Sequence, residues 1–199
     1  MLYSLCLTLN TMRTFIAIEL SDELKASLAR VQSHLKCSDA DVKWVEKENI
    51  HLTLKFLGEI TEDKAANIKT IMDKIGSSSK PFKISLKDIG AFPNTESPRI
   101  IWVGLNKGAE ESAEITKRLE EELSKIGFEF ETRPFAAHLT IGRVRSLKNK
   151  EALKEKICSS SASIFSTNNS QWIISLTLFQ STLTSKGSIY TKLHEARLA

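Results

Sequence analysis

Apolar residues dominate Thr14-Phe15-Ile16-Ala17-Ile18-Glu19 in the manner of a strand. After Leu20 they recur at helical spacing, at Leu24, Leu28, Val31 and Leu35. Ser21 stands as an N-cap, and Asp22 and Glu23 follow where they complement the helix dipole. The pattern predicts a strand over 13–19 and an amphipathic helix over 22–36. A polar stretch, Ser38 to Asp41, leads to Val42-Lys43-Trp44-Val45 and to a strong strand, Ile50 to Leu57. Thr61, with Glu62 and Asp63 behind it, opens a second helix to about Ile75, and Gly76-Ser77-Ser78-Ser79 ends it. Strands are expected over 82–89 and 99–105, with Gly90, Pro93, Asn94 and Pro98 as turn formers between them. A third helix, 109–126, carries Ile115, Leu119, Leu123 and Ile126 on one face and closes at Gly127. Strands near 128–132 and 137–144, a helix near 149–158, a Ser/Asn-rich loop from Ser159 to Ser170 and strands over 171–179 and 188–193 complete the chain.

Successive strands joined by short turns favour an α+β fold with antiparallel sheets over a doubly wound parallel one. A weak repeat refines this. His51-Leu52-Thr53-Leu54 lies on a strand, followed by a helix and the strand Phe82-Lys83-Ile84-Ser85-Leu86. His138-Leu139-Thr140-Ile141 is followed likewise by a helix and Trp172-Ile173-Ile174-Ser175-Leu176. The expected architecture is two pseudo-symmetric lobes, each an antiparallel sheet with flanking helices, around a central cleft. Residues 12–199 would form this single bilobal domain. Residues 1–11 read as an N-terminal extension with Met12 as the natural start, or as an extra strand.

Composition narrows the class without deciding it. The 199 residues are 41% hydrophobic and 26% charged, ordinary for a soluble globular protein, and the net charge of +4 permits an anionic partner. Cys6, Cys37 and Cys158 are scattered and odd in number, which argues against a disulfide framework or a cysteine zinc site and suits a cytoplasmic location. No apolar run has the length of a membrane helix.

The chemistry gathers at the repeat. Strand side chains alternate faces, so His51 and Thr53 project together, as do His138 and Thr140, while Leu52, Leu54, Leu139 and Ile141 point to the core. One neutral imidazole can take a proton from water while the other, as imidazolium, protonates a leaving oxygen. The hydroxyls can donate to a phosphate held between them, and no metal is required. Lys55 continues the His51 face. Arg143 should face away from His138 unless Gly142 introduces a bulge. Arg133, Arg145, Lys43, Lys47, Lys148 and Lys150 lie near the motif strands in sequence. Trp44 and Phe92 are candidates to stack on a base. Metal binding by the two histidines is the weaker alternative, since no Asp, Glu or Cys lies beside either at ligand spacing.

The two tetrapeptides resemble the paired HxTx motifs of the 2H phosphoesterase superfamily. The likeness extends through Phe15–Ile18, Trp44, HLTLKFLGE at 51–59, Arg99–Gly104, HLTIGR at 138–143 and Gly187–Tyr190. It covers nearly everything from Met12 onward and is similar to the RNA 2′,3′-cyclic phosphodiesterase branch, also called 2′-5′ RNA ligases. The resemblance implies His51 as general acid and His138 as general base, with Thr53 and Thr140 binding phosphate and Arg143 assisting. It implies no cofactor, hydrolysis to a 2′-phosphate with the 3′ oxygen leaving, and reversal as ATP-free 2′-5′ ligation. The expected partner is RNA with a 2′,3′-cyclic phosphate end, tRNA fragments among the candidates, acted on by a monomer away from membranes. Arg99, Lys55, Trp44 and Phe92 complete the expected substrate-binding set. One departure stands out: Ala137 precedes His138, where family members usually carry proline. The rival readings are an esterase of a small cyclic nucleotide or 2′-5′ oligoadenylate, and an RNA-binding module without turnover.

Overall fold

A computed structural model describes residues 11–160, 169–185 and 187–199. The expected extension, but for its last residue, and most of the Ser/Asn-rich loop lie outside the described residues. Among the described residues nine strands form: β1 (Met12–Glu19), β2 (Val42–Trp44), β3 (His51–Ile60), β4 (Phe82–Phe92), β5 (Ile100–Lys107), β6 (His138–Val144), β7 (Ser170–Ile173), β8 (Ser175–Thr184) and β9 (Gly187–Arg197). The helices are α1 (Asp22–Lys36), α2 (Glu62–Gly76), α3 (Ala109–Ser124) and α4 (Lys150–Ser159). The predicted caps form: the Ser21 hydroxyl accepts from the Leu24 amide and the Thr61 hydroxyl from that of Lys64, each satisfying a donor that the first turn leaves free.

All strands belong to one curled antiparallel sheet, ordered β7-β4-β5-β6-β3-β1-β8-β9, with β2 also on β6. The α+β class and antiparallel pairing agree with the sequence. The two lobes meet in the sheet at a single residue pair, Leu52 opposite Leu139, where β3 runs beside β6. On one side lie β3, β1, β8 and β9; on the other β6, β5, β4 and β7. The repeat is real but interleaved. The strand after α2 joins the second half, and β8, after α4, joins the first.

That exchange explains one difference from the predicted elements. The expected strand over 171–179 breaks at Ile174, because β7 pairs with β4 while β8 pairs with β1 in the other half. A second difference is the segment 125–137, which forms no strand. Its first amides, Ile126 to Phe128, bond back to the last carbonyls of α3, and beyond them the backbone bonds to side chains: the Lys55 ammonium donates to the Glu129 carbonyl, and the Glu131 amide to the Glu120 carboxylate.

Leu24, Leu28, Val31 and Leu35 of α1 pack with Ile68 and Met72 of α2, Leu119 and Leu123 of α3, and Leu153 of α4 in one core on one face of the sheet. Burying their apolar area is the main stabilising contribution. Leu52, Leu54, Leu139 and Ile141 enter this core. Among the described residues the opposite face is left open, apart from a small cluster of Phe15, Ala17 and Phe179 with Tyr190 against it.

Candidate active site

Because Leu52 and Leu139 face the helices and pair with each other, the residues flanking them face the open side together. The antiparallel register sets His51 across from Thr140 and Thr53 across from His138. All four are half-buried. The rings are held alike. His51 Nδ1–H donates to the Asn49 carbonyl at 2.8 Å, and His138 Nδ1–H to the Ala136 carbonyl at 2.6 Å. A carbonyl only accepts, so each ring carries its hydrogen on Nδ1 and keeps Nε2 free for proton transfer.

Their surroundings differ. His51 stacks on Phe15, with ring centres 4.7 Å apart, and takes the edge of Tyr190 at 5.3 Å. Burial disfavours its cation and lowers its pKa to about 4, against the raising effect of the Asn49 hydrogen bond and with a further lowering by Lys25. His138 meets the edge of Phe92 at 5.0 Å, and Phe92 in turn lies 5.3 Å from Trp102.

Each motif strand contains an extra residue just past its threonine. On β3 the register with β1 jumps from Thr53 to Lys55, so Leu54 is doubled. On β6 the register with β5 jumps from Thr140 to Gly142, so Ile141 is doubled. A bulge turns all later side chains to the other face. Arg143, opposite Ile100 and Lys43, therefore returns to the open face with His138. Gly142 receives the Val42 and Trp44 side chains, a Cβ there lying 2.8 Å from Val42. The carbonyl of Ile141 is satisfied by the Gln32 amide of α1 and the Val45 amide.

The same bulge logic corrects Lys55. It does not continue the His51 face; it turns inward, 5% exposed, and pairs with Glu120 of α3 at 2.8 Å. Phe56 takes the open face instead, five residues after His51 as Arg143 is five after His138, and it is 62% exposed. Trp44 is also corrected. It sits on the helix side beside Gly142 with the Lys36 ammonium over its ring, away from the histidines. Phe92, expected to stack on a base, stands against His138, and Arg99 is exposed just before β5, its backbone joined to Phe92 and Val144. Phe15, Tyr190 and Phe56 line the site without having been singled out as site residues, and Trp102, which the alternation with Ile101 and Val103 left open between core and substrate platform, lies against Phe92. The equal offset of Phe56 and Arg143 from their histidines was the legible signal.

Among the described residues no three His, Cys, Asp or Glu side chains gather as a metal site. Each imidazole instead has a threonine across the strand pair and aromatic rings beside it, with the Arg143 guanidinium farther along the same face.

Comparison with known proteins follows the repeat. The family model for LigT-like phosphoesterases matches twice, over residues 18–102 and 103–190. The chain is 40% identical to a Methanocaldococcus jannaschii protein named RNA 2′,3′-cyclic phosphodiesterase, covering 92% of this chain and 99% of that one. A protein of the same name from Methanothermobacter thermautotrophicus is 36% identical, over 94% and 98%. Among solved structures, Escherichia coli LigT complexed with 3′-AMP superposes with a TM-score of 0.77 at 23% identity, over 95% and 99% of the two chains, which shows a shared fold.

Proposed function

The chain belongs to the LigT-like phosphoesterases, and from that premise we propose that it hydrolyses the 2′,3′-cyclic phosphodiester at RNA 3′ ends with His51 and His138 as its acid and base. The observation that carries this reading is the matched pair of rings, each fixed through Nδ1 to the carbonyl two residues before it and each beside a threonine on the open face. Two free Nε2 atoms on adjacent strands suit in-line displacement, where base and acid act on opposite sides of phosphorus.

His138 Nε2 takes a proton from water as its oxygen attacks phosphorus. The bond to the 3′ oxygen breaks, and that oxygen takes the proton from His51 Nε2. The products are a 2′-phosphomonoester and a free 3′ hydroxyl. Thr53 and Thr140 donate to the non-bridging oxygens, and Arg143 neutralises them with a charge-assisted contact. Burial keeps His51 neutral in the free protein near pH 7. A bound phosphodiester anion raises the pKa of an imidazole beside it, so the acid's proton is recruited with the substrate. No step needs a metal. A 5′ hydroxyl in place of water gives a 2′-5′ bond by the same course, its proton passing to His138 and the 3′ oxygen leaving with a proton from His51. RNA ends of this kind, such as those on cleaved tRNA, would be met by a monomer in the cytoplasm, where the free and exposed Cys37 and Cys158 stay reduced.

The test is an oligonucleotide ending in a 2′,3′-cyclic phosphate, incubated with pure protein in EDTA, with the position of the product phosphate read. A 2′-phosphate is expected. His51→Ala and His138→Ala should each lower the rate about 10²–10⁴-fold. Full activity in His138→Ala removes that residue from the mechanism, and RNA affinity without turnover in the native chain replaces the enzyme with a binding module.

A further inference from the structure

The two halves of the open face are chemically unlike. Around His51 it is aromatic, with Phe15, Phe56, Phe179 and Tyr190, and its Lys192 is spent on Glu19. Beyond His138 it is basic. Cross-strand partners share a face, so His138 leads to Gly104 and Gly104 to Lys87. Lys83 and Ser85 follow on β4, between the buried Phe82, Ile84 and Leu86 of the opposite face. Ser85 pairs with Lys107, and Lys83 with Trp172 of the edge strand β7. Trp172 is 62% exposed. It borders a depression of about 520 Å³ with Lys83 and Lys107, bounded on the far side by Glu110 and Glu111 of α3. Lys87 approaches only its exposed neighbour Asp88, and no acidic group among the described residues pairs with Lys83 or Lys107.

We propose that this face, from Lys87 through Lys83 and Lys107 to Trp172, is the track for the single-stranded RNA lying 5′ of the cyclic-phosphate end. The proposal rests on the hydrolase reading and adds to it the direction in which the chain leaves the site. The two ammonium groups without an acidic partner, Lys83 and Lys107, in a row with the exposed Lys87, match a phosphate backbone, and an exposed tryptophan beside them offers a stacking surface that every base can use. Base-independent contacts of this kind suit an enzyme that reads an RNA end. Three strand spacings and four residues along β4 put Trp172 roughly 20 Å from His138. A strand stacked at about 3.4 Å per nucleotide covers that distance in about six nucleotides. The acidic pair at the start of α3 closes the track there.

The experiment compares turnover of a cyclic 2′,3′-mononucleotide with that of oligonucleotides of increasing length carrying the same end. Native kcat/KM should climb with length and level off at about six nucleotides. Trp172→Ala should lower it about tenfold on the hexanucleotide and leave the mononucleotide unchanged. Lys83→Ala and Lys107→Ala should each reduce the slope of log affinity against log salt by about 0.7. Arg13→Ala and Lys192→Ala, in the other half, serve as the contrast. Where the native protein turns over cyclic ends, the track is overturned if the length gain is absent, survives when Lys83→Ala, Lys107→Ala and Trp172→Ala are combined, or disappears in the contrast pair instead. Failure of the native protein on every cyclic end, with a salt-dependent affinity that still needs Lys83 and Lys107, would strike the hydrolase reading and leave the track standing.

Discussion

His51 and His138 share a motif and a hydrogen-bond pattern, yet the sheet gives them different solvation. Phe15 and Tyr190 withdraw His51 from water, and its pKa falls to about 4. The sign of the consequence for stability is fixed by linkage. An unfolded histidine binds its proton below about pH 6.5, whereas the folded ring stays neutral until much lower. Unfolding therefore takes up a proton in that interval, and stability present above pH 6.5 is lost as pH falls towards 4. Urea titrations at a series of pH values should show this decline, and His51→Gln should flatten it. An unchanged slope in the variant would mean that the ring is hydrated in the folded protein. The tetrapeptides themselves were legible in the sequence, because each combines a core leucine with a histidine and threonine on the alternate face. The solvation of His51 was not, since Phe179 and Tyr190 reach it from strands remote in the chain.

At the scale of elements, the paired bulges decide which side chains can meet a substrate. Strict alternation from His138 would have hidden Arg143, and strict alternation from His51 would have exposed Lys55; one extra residue in each strand reverses both. Glycine at 142 hinted at the first reversal, whereas the Leu54 bulge is marked only by the matching five-residue offset of Phe56 and Arg143 from their histidines. The buried Lys55–Glu120 pair is the visible cost of the latter. Glu120→Ala strands an ammonium in the core and should lower stability by about 3–5 kcal/mol in chemical unfolding, while Lys55→Met with Glu120→Leu should be far milder. Equal losses would show that the pair is solvated. The bulge on β6 depends on Gln32, whose amide donates to the carbonyls of Ile141 and Val45. Gln32→Met should weaken substrate turnover by up to about tenfold, through Arg143 alone, so that it adds nothing in an Arg143→Ala background. Additive losses in that cycle would assign Gln32 a separate role.

For the whole molecule, the class, the helices and the duplication were legible in the sequence, because each depends on local periodicity. It concealed the exchange of strands between halves, which depends on where a chain goes after its helix. The predicted strand over 171–179 shows the limit well. Its residues are β-forming throughout, and only the partners, β4 for one part and β1 for the other, divide it at Ile174. The joint at Leu52 and Leu139 is correspondingly narrow, and most of the union comes from the shared helical core.

Interleaving has a consequence for how the protein can be taken apart. A cut after Lys107 leaves β1 to β5 in one fragment and β6 to β9 in the other, and each half of the sheet then draws strands from both pieces. Neither piece alone can enclose its apolar surface, so fragments 12–107 and 108–199 should be insoluble or unstructured when produced separately. Mixed during refolding, or made together in one cell, they should reassemble into a soluble heterodimer detectable by co-purification. An autonomous fold in either fragment would show that the repeat is two adjoining units after all.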